Sequence, residues 1–598
     1  VKIARYLPGS KYSHSDDLAA CSIVILFAMA LALVPHLLLS RQVGQVAFFQ
    51  MGFDEDTYLV YMVSNYFEIG RALSHYIFAA MFALTNHSID WTMILADAIF
   101  PAISVVAAYY LASSILVSWR GRAVLTLLLL FGQDLFSLAN VSVWNYTWLE
   151  GFRKFFGAGV VPDATTSYLT ILRTPEPQLS YAVVFAFLGF LLRIAKDDRR
   201  SGAALAGIAS LGVLFPFTYT YIAFPSLLMA VWVTLVSFFF VRRDLAIRLA
   251  AIVLTACAIF AGVSLAKAKG ALPVYTTRLP AVTPALLVCG LIVVPLAIWT
   301  AVKRPAERAA WLAIGFLAIP IIVSNQQVIT GLTIGTRDWE RNVNYQFLAL
   351  GVALLCTLPK QALWMNRIFR WAGPGIALVI ALVVINADRT AMVYWNATNT
   401  PAVFASMQAV DAARKTHPDV NRVLLHPAEL VPIFNVRTNS QYDYVLNLAK
   451  LYMPGGPCCI SRIPPGGVPS ISPVEPILFE YWWRLGTSPE DAQKIVTKEA
   501  LQQGGYYLAY LYSTQDAYAA ASDGKNTRTD EIVRDIPRAI DRYRSFLQSD
   551  HADIRDSRVI VLTEQEPSTF AAQKLKSELV GTGRVGSKTV YAYLQTLD

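Results

Sequence analysis

The sequence predicts an all-α polytopic membrane domain of about eleven transmembrane helices followed by a small extracytoplasmic α/β domain. Three observations predict it. Of 598 residues, 55% are hydrophobic and only 15% charged, against about 25% charged in an ordinary soluble chain, and the mean hydropathy is +0.45. Apolar runs of membrane-crossing length recur up to residue 387. Beyond it, charge returns and apolar runs shorten to strand length. This composition excludes a soluble enzyme, a disordered chain and a disulfide scaffold. The net charge of +9 requires no nucleic acid, because the positive-inside rule gathers Lys and Arg in cytoplasmic loops.

The candidate spans are Ala19–Leu39, Thr92–Val117, Ala123–Ala139, Leu179–Ile194, Gly202–Thr218, Ile222–Val241, Leu249–Ala266, Pro284–Val302, Ala309–Val323, Phe347–Leu358 and Ala372–Ala387. The first is too long for a signal-peptide core, and no small-residue cleavage site follows it, so it reads as a retained span. Short basic loops (Arg120–Arg122, Lys196–Arg200, Arg242–Arg248, Lys303–Arg308, Lys360–Arg370) alternate with mostly longer, less basic ones (Arg41–Trp91, Asn140–Gln178, Lys267–Thr283, Ser324–Gln346). This alternation places the N-terminus in the cytoplasm and the longer loops outside. Residues 1–387 form the membrane domain, with large outer loops 40–91 and 140–178, and residues 388–598 form the outer domain, periplasmic in a Gram-negative cell.

In the outer domain, strands are expected at Arg422–Leu425, Tyr506–Leu511, Val559–Leu562 and Val590–Leu594. Helices are expected at Ala402–Lys415, Pro489–Gln503 and Thr529–Leu547, and Pro454–Pro473 reads as a loop. Cys21, Cys257, Cys289 and Cys356 sit in apolar runs as small hydrophobes. Cys458 and Cys459 are adjacent, readable as two thiols or as a strained vicinal disulfide.

The first outer loop carries Phe53-Asp54-Glu55-Asp56-Thr57. Three adjacent carboxylates repel one another, which raises at least one pKa unless a cation compensates. A carboxylate so placed can take a proton from a sugar hydroxyl attacking a phosphate-activated carbon. Equally, the acidic run can serve as the N-terminal cap of a helix starting near Thr57.

The acidic run resembles that of the GT-C superfamily of multi-spanning glycosyltransferases, which use lipid-phosphate-linked sugars. Phe53-Asp54-Glu55 is similar to the Phe-Asp-Glu of the protein mannosyltransferase branch, and Asp54-x-Asp56 resembles the Asp-x-Asp of metal-dependent oligosaccharyltransferases. The layout of spans and outer domain resembles these enzymes over the whole chain. Bacterial GT-C-like proteins have a similar counterpart to Arg173-Thr174-Pro175-Glu176-Pro177-Gln178-Leu179-Ser180 at the start of a span, and to Asn325-x-Gln327-x-x-Thr330-Gly331 followed by a polar aromatic segment.

The resemblance implies transfer of a sugar from a polyprenyl-phosphate donor to a cell-surface glycan, lipid or protein acceptor, with inversion, on the outer face of the inner (cytoplasmic) membrane. Asp54 would be the general base. Glu55 or Asp56 would orient the acceptor, and Asp54 and Asp56 are the candidates to hold a divalent metal, Mg or Mn, if one is used. Arg173, Arg337 and Arg341 would bind the donor phosphate, and Gln327, Trp339, Glu340 and Asn344 the sugar or acceptor. The outer domain would bind the acceptor glycan. For Arg173 the plain alternative is a guanidinium snorkelling to lipid headgroups. For the 324–344 loop it is a polar cap with a Trp anchor.

Two carboxylates fall within spans, Asp97 and Asp134. Intramembrane charges are costly and point to function. The structural alternative for both is a hydrogen bond to a neighbouring helix, such as to Tyr109 or Ser104. His36, His75 and His87 show no metal spacing. A transporter or flippase of lipid-linked glycans would need polar residues through the full bundle, whereas here they cluster on one side. An O-antigen-ligase-like enzyme would need a long late loop rich in Arg and His, and a non-catalytic GT-C-like membrane protein would keep the architecture alone.

Overall fold

The computed structural model describes residues 14–51, 55, 59, 72–138, 174, 177–196, 201–268, 275–276, 284–330, 332–333, 339–358, 368, 371–387, 390–439, 441–446, 475–502, 527–549, 558–565 and 575–597. The bundle opens with α1 (His14–Val43), α2 (Ala72–Leu84), α3 (Ile89–Ser113), α4 (Trp119–Leu138), α5 (Gln178–Ala195) and α6 (Ser201–Leu214). It continues with α7 (Thr220–Phe240), α8 (Arg243–Ala268), α9 (Val294–Lys303, preceded by a π turn), α10 (Arg308–Ser324), α11 (Tyr345–Cys356) and α12 (Gly373–Ala387). Far apart in sequence, β1 (Tyr275–Thr276) and β2 (Leu332–Thr333) pair antiparallel over two residues each.

These helices follow from uninterrupted apolar sequence with few breakers. Among the described residues, six are long and apolar enough to cross a membrane: Ser15–Val43, Ile89–Ser113, Gln178–Ala195, Thr220–Phe240, Arg243–Ser264 and Leu286–Lys303. Four more, Ala72–Leu84, Gly202–Phe217, Arg308–Ser324 and Asn342–Cys356, are apolar but shorter. The chain is therefore a multi-pass membrane protein. Each of the eleven apolar runs singled out in the sequence lies largely on a helix or a helix with its adjoining turn, though several helices are short for a full crossing. The apolar windows of Arg243–Ser264 and Leu286–Lys303 are only 22% buried within the protein, and Leu254, Leu291, Ile292 and Trp299 stand exposed. Such continuous apolar surface is stable against lipid, not water.

Helix α3 is central. It packs on α1, α4 and α5, and α5 in turn packs on α6 and α7. α10 packs on α7, α9 and α11. At one end of α1, Asp17 accepts from Arg122 Nη1 at 2.7 Å and from Tyr109 OH at 2.8 Å. At the other end Gly44, with φ +79°, stops the helix in the left-handed conformation a C-terminal cap needs.

After the bundle, α13 (Thr390–Thr416) leads into a sheet that among the described residues has five strands in the order β4-β3-β5-β7-β6. Its strands are β3 (Arg422–Leu425), β4 (Asp443–Tyr444), β5 (Val559–Thr563), β6 (Leu575–Val585) and β7 (Lys588–Leu597). β3 runs parallel to β4 and β5, while β7 is antiparallel to β5 and β6. Every residue of the central β5 is buried, as expected of its unbroken Val-Ile-Val-Leu-Thr run. The sheet is flanked by α13, α14 (Val431–Arg437), α15 (Glu475–Leu485), α16 (Pro489–Gln502) and α17 (Thr527–Leu547). Strand β6 lies directly on α13 because Gly583 has no side chain, and a Cβ there would collide with the Ala405 carbonyl.

Expected strands at 422–425, 559–562 and 590–594 appear within β3, β5 and β7. Strands β4 and β6 were not expected. β6 is largely exposed and carries Lys576, Glu578 and Arg584, so it lacks the apolar run of a central strand and is held by pairing with β7. The expected strand 506–511, the loop 454–473 and Cys458 with Cys459 lie outside the described residues. The four remaining cysteines are free thiols, and Cys289 Sγ donates to the Leu317 carbonyl at 3.2 Å.

Candidate active site

Where α1 ends, the chain runs extended through residues 46–51 and then reaches Glu55. Glu55 is fully buried. Its Oε2 accepts from the Met51 backbone N–H at 2.7 Å and its Oε1 from the Thr174 N–H at 3.0 Å. Glu55 thus ties the segment after α1 to the segment that leads into α5. Asp54, Asp56 and Arg173 lie outside the described residues, but they are the chain neighbours of Glu55 and Thr174.

Thr174 continues the network. Its hydroxyl donates to Asp97 Oδ1 and also faces Gln178 Oε1 at 3.0 Å. Asp97, on α3, accepts at Oδ2 from His36 Nε2 at 2.9 Å. His36 Nδ1 accepts from the Phe49 N–H at 2.7 Å. That second bond fixes the ring tautomer: Nδ1 is the acceptor, so the hydrogen is on Nε2 and points at Asp97. His36, Glu55, Asp97, Thr174 and Gln178 are each about 0–1% exposed. Water cannot relieve an unmet partner there, so these groups depend on one another.

Asp97 does bond a neighbouring helix, through His36 of α1, but the example partners are corrected. Its partners are His36 and Thr174, not Ser104 or Tyr109. Those two lie seven and twelve residues further along the same helix, about 10 and 18 Å at 1.5 Å per residue. Ser104 Oγ instead donates to the Gln178 carbonyl at 3.0 Å, and Tyr109 to Asp17. His36, which showed no motif in the sequence, is a central member. Its only sequence signal is a titratable residue near the end of an apolar helix, facing the same end of the bundle as Asp97.

The third polar segment sits in a π turn, Glu340–Asn344, before α11. Trp339 is buried, with Tyr221 and Phe224 at centroid distances of 5.0 and 6.0 Å. Asn344 is buried and its Nδ2 donates to Ser324 Oγ at 2.9 Å. Tyr181 OH donates to the Asn342 carbonyl at 2.8 Å, which joins this turn to α5. Trp339 therefore packs inside the bundle. Arg337 lies outside the described residues, as do the side chains of Gln327, Glu340, Arg341 and Asp134.

His75, on α2, is partly buried, and burial pushes its imidazole below the ordinary value. Among the described residues no group of three or more His, Cys, Asp or Glu side chains could hold a metal. Both Glu55 oxygens are engaged by backbone, so any ligands from the acidic run would be Asp54 and Asp56.

No protein-family model and no curated protein sequence matches the chain. Among solved structures, the oligosaccharyltransferase AglB of Archaeoglobus fulgidus, in complex with an inhibitory peptide and a dolichol-phosphate, matches at 12% identity and TM-score 0.32. That match covers 72% of this chain and 64% of AglB, so the chain spans just under two thirds of that protein's length. ArnT of Cupriavidus metallidurans, bound to undecaprenyl phosphate, matches at 11% identity and TM-score 0.42 over 97% of this chain and 98% of its own. At these values the likeness assigns no family. What the fold and site define is a multi-pass membrane protein with a buried carboxylate network at one end of its bundle.

Proposed function

We propose that this chain is a GT-C-like membrane glycosyltransferase, moving a sugar from a polyprenyl-phosphate donor to a glycan, lipid or protein acceptor on the outer face of a cytoplasmic membrane. The observation that carries this reading is the Glu55–Thr174–Asp97 junction. Three segments singled out separately in the sequence, the acidic run, the Arg-Thr-Pro-Glu-Pro-Gln segment and the intramembrane Asp97, meet in one hydrogen-bonded network. Asp54 and Arg173 are the residues next to that junction in the chain.

In this reading the acceptor hydroxyl attacks the anomeric carbon as the C–O bond to the donor phosphate breaks. Asp54 takes the hydroxyl proton. A single displacement inverts the anomeric centre. Negative charge accumulates on the departing phosphate, where Arg173, Arg337 or Arg341 neutralises it. Glu55 positions the loop, and Trp339 and Asn344 shape the wall behind the sugar site. A metal held by Asp54 and Asp56 would add positive charge at the leaving phosphate. Eleven crossings put the N-terminus in the cytoplasm and residues 388–598 outside.

The test is sugar transfer by the purified protein from a panel of polyprenyl-phosphate sugars, wild type beside Asp54→Asn, with and without EDTA. Transfer that Asp54→Asn abolishes is expected. Undiminished transfer by Asp54→Asn would overturn the base assignment, and loss on EDTA with recovery on Mg or Mn would assign a metal to the acidic run.

A further inference from the structure

Five consecutive backbone N–H groups, those of residues 47–51, are each captured by a side chain. Ala47 donates to Ser40 Oγ at 2.9 Å, Phe48 to Asp90 Oδ1 at 2.7 Å and Phe49 to His36 Nδ1 at 2.7 Å. Gln50 donates to Asn396 Oδ1 at 2.9 Å and Met51 to Glu55 Oε2 at 2.7 Å. All five residues are buried. The segment is extended but belongs to no sheet, so its buried donors would be orphaned without these side chains. Four of the five acceptors lie on α1, α3 and α13, and the fifth is the middle carboxylate of the acidic run.

The contribution of α13 is specific. Asn396 grips Gln50 from both sides, since its Nδ2 also donates to the Gln50 carbonyl at 3.0 Å. Trp395 Nε1 donates to Gln50 Oε1 at 3.3 Å, and Gln42 Nε2 donates to the Ala397 carbonyl at 3.1 Å. From α14, Arg437 Nη2 donates to the Asp90 oxygen that holds Phe48, at 2.8 Å. The Arg437 guanidinium also stacks over Phe48 and Phe404, at 4.7 and 4.4 Å from the ring centroids. Residues beyond the bundle thus hold the stretch of chain that delivers the acidic run.

We propose that residues 47–51 form a strap whose register sets the position of Asp54–Asp56, and that Asn396 and His36 are positioning residues acting through it. The outer domain is then part of the site's construction, and the membrane domain alone has an incompletely placed acidic loop. A one-residue slip of the strap would move Glu55 by about 3.3 Å and break its bond to Thr174. The positioning role rests on the glycosyltransferase reading; the strap itself does not.

The experiment is hydrogen exchange of the full-length protein in detergent micelles, followed by mass spectrometry on overlapping peptides across residues 44–51. In the wild type these amides exchange slowly. In Asn396→Ala all five are expected to exchange about tenfold faster or more, because they share one rigid segment, while residues 100–112 of α3 stay protected. Acceleration confined to Gln50 would overturn the strap. Ser40→Ala, from the opposite end, repeats the test should Asn396→Ala unfold the chain. At His36, Asn can present its amide oxygen where Nδ1 accepts, and Gln its amide nitrogen where Nε2 donates. His36→Asn is expected to keep the strap protected and His36→Gln to release it, and the reverse order would overturn the assignment.

The second arm measures transfer from the polyprenyl-phosphate sugar panel. Asn396→Ala is expected to lower kcat about tenfold or more, with the donor KM within about twofold, and His36→Asn to retain more kcat than His36→Gln. Loosened exchange with unchanged kcat would overturn the positioning role. If the wild type transfers no sugar at all, the glycosyltransferase reading falls, and the exchange arm still decides the strap.

Discussion

Two buried extended segments of five residues, 47–51 and 559–563, satisfy their backbones in opposite ways. Strand β5 pairs with β3 on one side and β7 on the other, backbone to backbone. The strap pairs with side chains from helices up to 346 residues away in sequence. A ladder does not depend on which side chains its neighbours carry, provided they pack. The strap depends on the identity of Ser40, Asp90, His36 and Asn396 one by one. Substitutions should therefore act through packing around β5 and through single polar groups around the strap.

The largest expected effect breaks the network behind the strap. Asp97→Leu removes two hydrogen bonds to a buried carboxylate, leaves the His36 Nε2–H unmet and leaves the Thr174 hydroxyl only Gln178 Oε1, a loss of about 3–5 kcal/mol. A steep drop in the melting temperature of the detergent-solubilised protein would show it, and an unchanged melt would mean that water reaches the network. Next, Arg437→Ala removes the charged bond to Asp90 and the stacking on Phe48 and Phe404, about 2–3 kcal/mol. Limited proteolysis should then cut faster between the bundle and the sheet, with the bundle itself intact.

On the sheet side, Gly583→Val forces a side chain into the α13 backbone, an overpacking cost of about 1–3 kcal/mol. It should raise hydrogen exchange in β6 and β7 before any change in residues 44–51. Equal acceleration in both regions would mean that the sheet and the strap open together. The smallest effect sharpens the contrast. Lys588 Nζ pairs with Glu564 at 2.8 Å near the surface, and Lys588→Ala should cost under about 1 kcal/mol, within error of the wild-type melt.

Much of the bundle was legible because lipid solvation imposes a long, simple signal: about 20 apolar residues per crossing. The eleven apolar runs lie largely on helices, although helices such as α10 and α11 are shorter than a full crossing. In the sheet, β5 announced itself by four apolar residues in a row, Val559–Leu562, while β6, exposed and charged, did not. The site was legible in part. Glu55 and the segment containing Thr174 stood out by their polar chemistry at a bundle end, yet nothing indicated that Glu55 would give both oxygens to backbone, or that His36 would join Asp97.

The sequence by itself determined that this is a multi-pass membrane protein with its acidic run in the first long loop, because hydropathy, charge alternation and local propensity act over short stretches of chain. The tertiary structure alone decided which polar groups meet. The bonds from Asp97 to His36, from Thr174 to Glu55 and from Gln50 to Asn396 join residues 61, 119 and 346 positions apart. A hydrogen bond requires its partners within about 3 Å, and only the packing of α1, α3, α5 and α13 brings these groups that close.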